Sequence, residues 1–223
     1  MSTVVVIPTL NEIHGVKVIM PQVKKEWAEE FVFVDGGSTD GTMEEAKRMG
    51  FKVIHQKTRG VGNAYRIGVE ATKSDYILFF SPDGNDEPQE IPKLIQKIKE
   101  GYDIVHISRF SKNSINKDAG PVTGFGNRMF TFLVNVFFGG HLTDALTGYI
   151  ILRREVMLAL KTDGQRETTE QQICIRALKT GRTIIEIGGN EPQRTGGQRK
   201  MRPLFTGSQL SAQIIKEFIF WQF

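Results

Sequence analysis

Cysteine is almost absent: the 223 residues contain one, Cys174. No internal disulfide can form, so a reducing compartment is the expected setting. Cys174 sits in an apolar helical stretch and reads as inert core packing. Long hydrophobic runs are missing too. The best stretch, 129–138, is interrupted by Thr131 and Asn135, short of the ~20 apolar residues that span a bilayer. Residues 1–7 lack a basic leader and run straight into a β-branched segment, so no secretory signal is expected. A cytoplasmic protein, soluble or peripheral on a membrane face, is the expectation. Strong charge of one sign is also lacking. A net charge of +4 is too mild for a nucleic-acid partner, but it is compatible with an anionic substrate or membrane surface. The four histidines, His14, His55, His106 and His141, are scattered, form no His–Asp dyad and read as structural. Neither a Walker loop nor a dinucleotide-binding glycine fingerprint is present.

What is there is a regular first half. Residues 3–7, 31–35, 52–55, 76–80 and 104–107 are short apolar runs of the kind that form buried parallel strands. Helical patterns lie between them at 12–25, 42–49, 62–72 and 88–100, the last opened by Pro88 and closed before Gly101. Strand–helix alternation predicts an α/β fold, a mostly parallel sheet flanked by helices. The second half is less regular: a loop over 110–126, a helix over 125–138, a strand over 149–153, a helix over 169–180, a strand over 183–187, a Gly- and Arg-rich loop over 190–203 and an apolar helix over 207–223. No domain boundary is visible, and 1–223 reads as a single domain.

In parallel sheets ligands sit beyond the carboxyl ends of the strands, and the polar residues gather there. After the first strand come Pro8, Asn11 and Glu12; a short acidic turn can bond a ribose or a base edge, and Asn11 equally suits a helix cap. After the second come Asp35 and two glycines; a carboxylate in the last strand position is expected to face the cleft, while Asp40 suits a cap. Lys57 and Gly60 precede the third helix, where free N–H groups and positive charge favour an anion. The fourth strand ends in Ser81-Pro82-Asp83-Gly84-Asn85-Asp86-Glu87. Such oxygen ligands suit a hard divalent cation holding a diphosphate; they equally suit a solvated acidic turn before a helix.

Together these segments resemble the family 2 glycosyltransferases of the GT-A type, and within them the dolichol-phosphate mannosyltransferases. Pro8–Glu12 is similar to the family's P-x-x-N-E start, Asp35–Thr42 to its acidic G-S-x-D-x-T segment, Gly60–Ala64 to its G-x-x-x-A helix opening, and Ser81–Asn85 to its D-x-D element. The likeness continues through Ser108-Arg109-Phe110, through Asp144–Tyr149, through Glu170 on a helix, and through Arg194–Met201, which resembles R-x-G-G-x-S-K-M. Two positions depart from the pattern. Ser81 stands where D-x-D has its first acid, which leaves Asp83, helped by Asn85, to hold the metal. Arg199 stands in place of a serine.

The resemblance implies a GT-A fold with a nucleotide-sugar half (1–107), an acceptor half (108–206) and an apolar C-terminal helix (207–223). It implies an inverting transfer of a hexose, mannose first, from GDP-mannose or UDP-glucose to a polyprenyl phosphate, with Mg²⁺ or Mn²⁺. Pro8, Asn11, Glu12, Asp35, Lys57, Gly60 and Asp83 would bind the nucleotide. Asp83, Arg109 and Asp144 would carry catalysis, and Arg109, Arg128, Arg194 and Lys200 would hold the acceptor phosphate. Asp144 would orient an arginine or bond the sugar. A phosphate monoester is already ionised at neutral pH, its second pKa lying near ~6, so no strong base is needed. The apolar tail is expected to be core or to touch a membrane interface. The competing expectations are a family 2 transferase with a soluble or glycan acceptor, and a non-catalytic sugar-nucleotide-binding subunit disabled by Ser81.

Overall fold

A computed structural model describes residues 1–112, 114–165, 168–195 and 202–221. Among them, seven strands form one sheet: β1 (Thr3–Thr9), β2 (Glu30–Asp35), β3 (Lys52–His55), β4 (Tyr76–Phe79), β5 (Ile104–Ser108), β6 (Ile150–Arg153) and β7 (Ile184–Gly188). The helices are α1 (Ile13–Ile19), α2 (Thr42–Arg48), α3 (Val61–Glu70), α4 (Glu90–Ile98), α5 (Pro121–Phe138), α6 (Arg154–Leu160), α7 (Thr168–Lys179) and α8 (Pro203–Ile219).

The strand order is β3-β2-β1-β4-β6-β5-β7. All pairings are parallel except those of β6, which runs antiparallel to both β4 and β5. The alternation of side chains along a strand splits the core in two. Val5, Ile7, Phe33 and Leu78 pack beneath α1, α2 and α4. Val4, Val6, Val34 and Phe79 face α3, α6 and α7. Both faces are therefore covered, which is why these strands read as continuous apolar runs. A third cluster, built from Phe130, Val134, Cys174, Ile175, Leu210 and Ile214, binds α5, α7 and α8 together. Cys174 belongs to it, and burial pushes its thiol far above the ordinary value.

The mostly parallel α/β expectation holds, with adjustments. The first helix ends at Ile19, and two short 3₁₀ turns follow it, one opened by Pro21 within Met20–Gln22. α5 begins at Pro121, inside the segment expected to be a loop, because a proline after Gly120 is pre-shaped for the first helical position. Residues 109–112 and 114–120 are irregular but laced to the exit of β7: Asn116 bridges Glu191, and Lys117 N–H donates to Glu191 O at 2.9 Å. α8 starts four residues before the expected 207, again at a proline.

Candidate functional site

The carboxyl ends of β1, β4 and β5, with the exit of β7 and one end each of α5 and α8, enclose a cavity of about 310 Å³. Glu12, Asp83, Asn85, Arg109, Glu191 and Arg194 line it, with Asp118, Thr123, Asn127 and Leu146 on the α5 side and Thr206 and Leu210 on α8.

The β1 exit is held by its neighbour. Asn11 takes a left-handed backbone (φ 53), which asparagine tolerates better than most residues. Its N–H donates to Ser38 Oγ at 2.8 Å, and its Oδ1 accepts Thr39 N–H at 2.8 Å. Asp40 Oδ2 accepts the N–H of Ile13, the first residue of α1, at 3.0 Å, while its Oδ1 accepts Thr42 N–H at 3.0 Å. This side chain therefore joins two helix starts, and Glu12 is carried to the cavity wall.

Asp35 requires a correction. Expected to face the cleft, it is fully buried. Its oxygens accept from Thr9 Oγ1, the N–H groups of Gly37 and Ser38, and Ser38 Oγ, at 2.6–3.0 Å. It shapes the loop behind the cavity. Pro8 stays in the ladder opposite Val34. Lys57 is exposed, and neither it nor Gly60 reaches the cavity lining. The turn at Gly164 packs closely on the start of α3, since a Cβ on Gly62 would lie 2.2 Å from the carbonyl oxygen of Gly164.

The β4 exit presents Asp83. Its Oδ1 accepts Asn85 N–H at 3.0 Å, and its Oδ2 lies 2.8 Å from Arg194 Nη2. Thr195 N–H donates to the Asp83 carbonyl at 2.9 Å, and Asn85 Nδ2 donates to Pro192 O at 2.8 Å. The 192–195 segment thus lies directly on the Asp83 turn. Asp86, one turn behind, accepts the Ser81 N–H at 2.7 Å. Burial first, and then the charge of Asp83, push its carboxyl well above the usual carboxylate range.

Arg109, at the β5 exit, is gripped by two acids. Nε donates to Asp144 Oδ2 at 2.6 Å, Nη2 to Asp144 Oδ1 at 2.9 Å and Nη1 to Glu191 Oε1 at 3.2 Å. Burial alone would lower its pKa; the two carboxylates outweigh burial, raise it and keep the group charged. Three of the guanidinium's five N–H donors are used, leaving two. Asp144 itself is fully buried and does not line the cavity. Of the two roles expected for it, orienting an arginine is the one the geometry shows, and its placement among catalytic contacts is corrected accordingly. Arg128 is exposed, with its guanidinium over the Phe110 ring at 5.3 Å, and is not part of the cavity wall. Lys200 and Arg199 fall outside the described residues.

The donor set fits a divalent cation of a particular kind. Among the described residues no group of three or more His, Cys, Asp or Glu side chains could hold one alone. Mg²⁺-like ions, however, are commonly held by one or two carboxylates plus substrate phosphates and water. Asp83, with Asn85 beside it, supplies that share. The wall carries four carboxylates, Glu12, Asp83, Asp118 and Glu191, against two guanidinium groups, Arg109 and Arg194. That excess of negative charge suits a cation arriving with an anionic ligand.

The family model described as glycosyl transferase family 2 matches residues 4–160. The chain belongs to that family. This glycosyltransferase is 27% identical over 214 residues to Glycosyltransferase AglJ of Haloferax volcanii, covering 94% of this chain and 69% of the relative. It is 27% identical to the Dolichyl-phosphate hexose transferase of the same organism, covering 95% of this chain and 92% of the relative. Among solved structures, glucosyl-3-phosphoglycerate synthase from Mycobacterium tuberculosis, in complex with Mn²⁺, UDP and phosphoglyceric acid, superposes with a TM-score of 0.79. It is 21% identical and covers 99% of this chain and 80% of its own. That likeness establishes the GT-A fold of the transferase.

The family match includes Asp83, Arg109 and Asp144 but stops before β7. Glu191, which reaches the cavity from the β7 exit, had no local motif to announce it. Nor did Asp118, Thr123 and Asn127, which lie in or beside the stretch expected to be a loop.

Proposed function

We propose that this transferase moves a hexose, mannose first, from a nucleotide sugar such as GDP-mannose or UDP-glucose to a polyprenyl phosphate, with inversion. The observation that carries the lipid acceptor is the position of the cavity between α5 and α8. Thr123 and Asn127 line it from one helix, Thr206 and Leu210 from the other. At the ends that border that mouth both helices expose apolar side chains: Val122 and Phe125 on α5, and Leu204 and Phe205 on α8, with Phe125 70% and Leu204 91% exposed. Lone exposed apolar residues are ordinary, whereas a contiguous patch marks an interaction surface. Among the described residues no helix is long and apolar enough to cross a membrane. Peripheral contact through these two helices, on the cytoplasmic face, would bring a lipid-borne phosphate to the cavity. The naming of one relative as a dolichyl-phosphate hexose transferase supports the same reading.

In this reading Asp83, with Asn85 beside it, would hold a divalent cation, which would supply charge neutralisation to the departing diphosphate of the donor. The two unused N–H donors of Arg109 and the guanidinium of Arg194 face the acceptor phosphate, for which a planar fork is well shaped. Its oxygen attacks the anomeric carbon without a protein base. Catalysis then rests on positioning and charge.

A soluble phosphorylated acceptor is the second reading, favoured by the structural likeness to a synthase crystallised with phosphoglyceric acid. One experiment separates them. The protein is given GDP-mannose or UDP-glucose with Mg²⁺ or Mn²⁺, and either dolichyl phosphate in liposomes or 3-phosphoglycerate. Hexosylated lipid from the liposomes, together with flotation of the protein, is the expected result. Transfer only to 3-phosphoglycerate would replace the lipid reading. Nucleotide binding without transfer to either acceptor would favour a non-catalytic subunit.

A further inference from the structure

Glu186 lies on β7 and belongs to no motif, yet it receives four donors. Its Oε1 accepts His106 Nε2 at 2.9 Å and Asp144 N–H at 2.9 Å; its Oε2 accepts Thr143 N–H at 2.7 Å and Thr143 Oγ1 at 2.8 Å. His106, on neighbouring β5, is fully buried, and among the described residues its Nδ1 has no hydrogen-bond partner. The ring's polar tie is therefore the one to Glu186. Thr143 Oγ1 also lies 2.5 Å from Ser108 Oγ, the residue before Arg109.

The 143–144 turn is thus pinned from both sides. Glu186 holds its backbone from below, and on the other side Asp144 takes the backbone N–H of Arg109 at 3.2 Å as well as the two guanidinium bonds. An ionised carboxylate has about four lone-pair sites and no donor, which matches four converging N–H and O–H groups; a carboxamide of the same shape turns an NH₂ towards two of them. Removing an acceptor from buried donors costs more than the bond itself is worth.

We propose that Glu186, oriented by His106, is a positioning residue for Arg109: it fixes the 143–144 turn so that Asp144 presents both oxygens to the guanidinium and aims the unused N–H groups into the cavity. The inference rests on the role proposed above for Arg109 at the acceptor phosphate. It adds that this role depends on a carboxylate that touches neither substrate nor cation.

The test uses Glu186→Gln in the full chain, with three readouts. Arginine Nε–H resonances are followed by NMR, that of Arg109 being assigned by its loss in Arg109→Lys. Nucleotide affinity is measured by calorimetry with Mn²⁺. Transfer to dolichyl phosphate in liposomes gives kcat and the acceptor KM. A folded Glu186→Gln protein is expected to bind nucleotide within about twofold of the original, while the Arg109 Nε–H signal shifts and exchanges faster, and kcat/KM for the acceptor falls about tenfold or more, as misplacement of a fixed group does. His106→Gln, which keeps an N–H for Glu186, is expected to lose less than His106→Leu. If Glu186→Gln fails to fold, Thr143→Val removes the hydroxyl donor to Glu186 together with its Ser108 contact and must move the same signal in the same direction. An unchanged Arg109 signal in a folded variant overturns the proposal. Absence of nucleotide binding or transfer by the unmutated protein defeats the functional reading instead, and leaves the NMR comparison to decide on Glu186.

Discussion

Arg194 and Asp83 share a contact: Nη2 of the arginine lies 2.8 Å from Oδ2 of the aspartate. The same guanidinium lies 3.8 Å from Glu12 through Nη1. A guanidinium and a divalent cation both want this carboxylate, and both are positive, so each weakens the other there. Replacing Arg194 with glutamine is expected to strengthen Mn²⁺ binding to the nucleotide-free protein several-fold, as an effective gain of about 1 kcal/mol at a part-exposed pair implies. Ser81→Asp is expected to act in the same direction by adding a carboxylate. Mn²⁺ titration followed by electron paramagnetic resonance reads both. Equal or weaker affinity in Arg194→Gln would show that the two cations do not compete.

The turn that presents Asp83 is clamped by close backbone approach. Gly84 has φ 94, and a Cβ there would lie 1.9 Å from Thr195 Oγ1. On the other side, a Cβ on Gly15 of α1 would lie 2.2 Å from the carbonyl oxygen of Pro82. Gly84→Ala combines an unfavourable backbone with a clash and is expected to destabilise by about 1–3 kcal/mol and to lift residues 192–195 off the turn. Hydrogen exchange should then rise at Thr195, whose N–H donates to Asp83 O. Unchanged exchange at Thr195 would mean that the segment is held from elsewhere.

α8 is anchored by a buried acid. Glu217 is fully buried and accepts from Gln172 Nε2 and Gln213 Nε2, both at 2.7 Å, and from Arg176 Nη2 at 2.8 Å. Glu217→Ala leaves the buried Arg176 with Asp163, 3.1 Å away, as its one charged partner among the described residues, and is expected to cost about 3 kcal/mol. Urea unfolding measures it, and a loss below about 1 kcal/mol would show that the site relaxes without its acid.

Acid stability has a definite sign at Glu186. Burial alone would raise this carboxyl; the His106 hydrogen bond and charge, with the two bonds from Thr143, outweigh burial and hold it below the ordinary value. A depressed folded-state pKa contributes stability that is present above the unfolded value of about 4.3 and is lost as pH falls through the folded one. Thermal unfolding from pH 6 downward should therefore fall less steeply in Glu186→Gln than in the unmutated protein. Parallel curves would remove Glu186 from the acid response.

The half of the fold that local pattern can describe was legible. β1 to β5 and α2 to α4 lie within a few residues of their apolar runs, because a strand buried on both faces must be apolar throughout and each helix between strands needs one apolar face. The reversal of β6 was not legible: Ile150–Arg153 reads as a strand in either direction, and its direction depends on the long excursion through α5. α6 was missed because Arg154–Leu160 follows β6 directly, with no turn signal between them.

Motif spacing alone was enough to indicate the family, and to single out Glu12, Asp83, Asn85, Arg109 and Arg194, which the fold brings to one cavity wall. Those are properties of order and residue type along the chain, which local backbone rules translate directly into position at strand ends. Tertiary structure decided which charges meet. It turned Asp35 and Asp144 inward, left Arg128 outside the wall, brought Glu191 and Arg194 from beyond β7 onto Arg109 and Asp83, and set His106 behind Glu186. A carboxylate's role depends on which donors surround it and how much water reaches it, and at Asp144 and Asp83 the guanidinium that decides this comes from a residue 35 and 111 positions away in the chain, respectively.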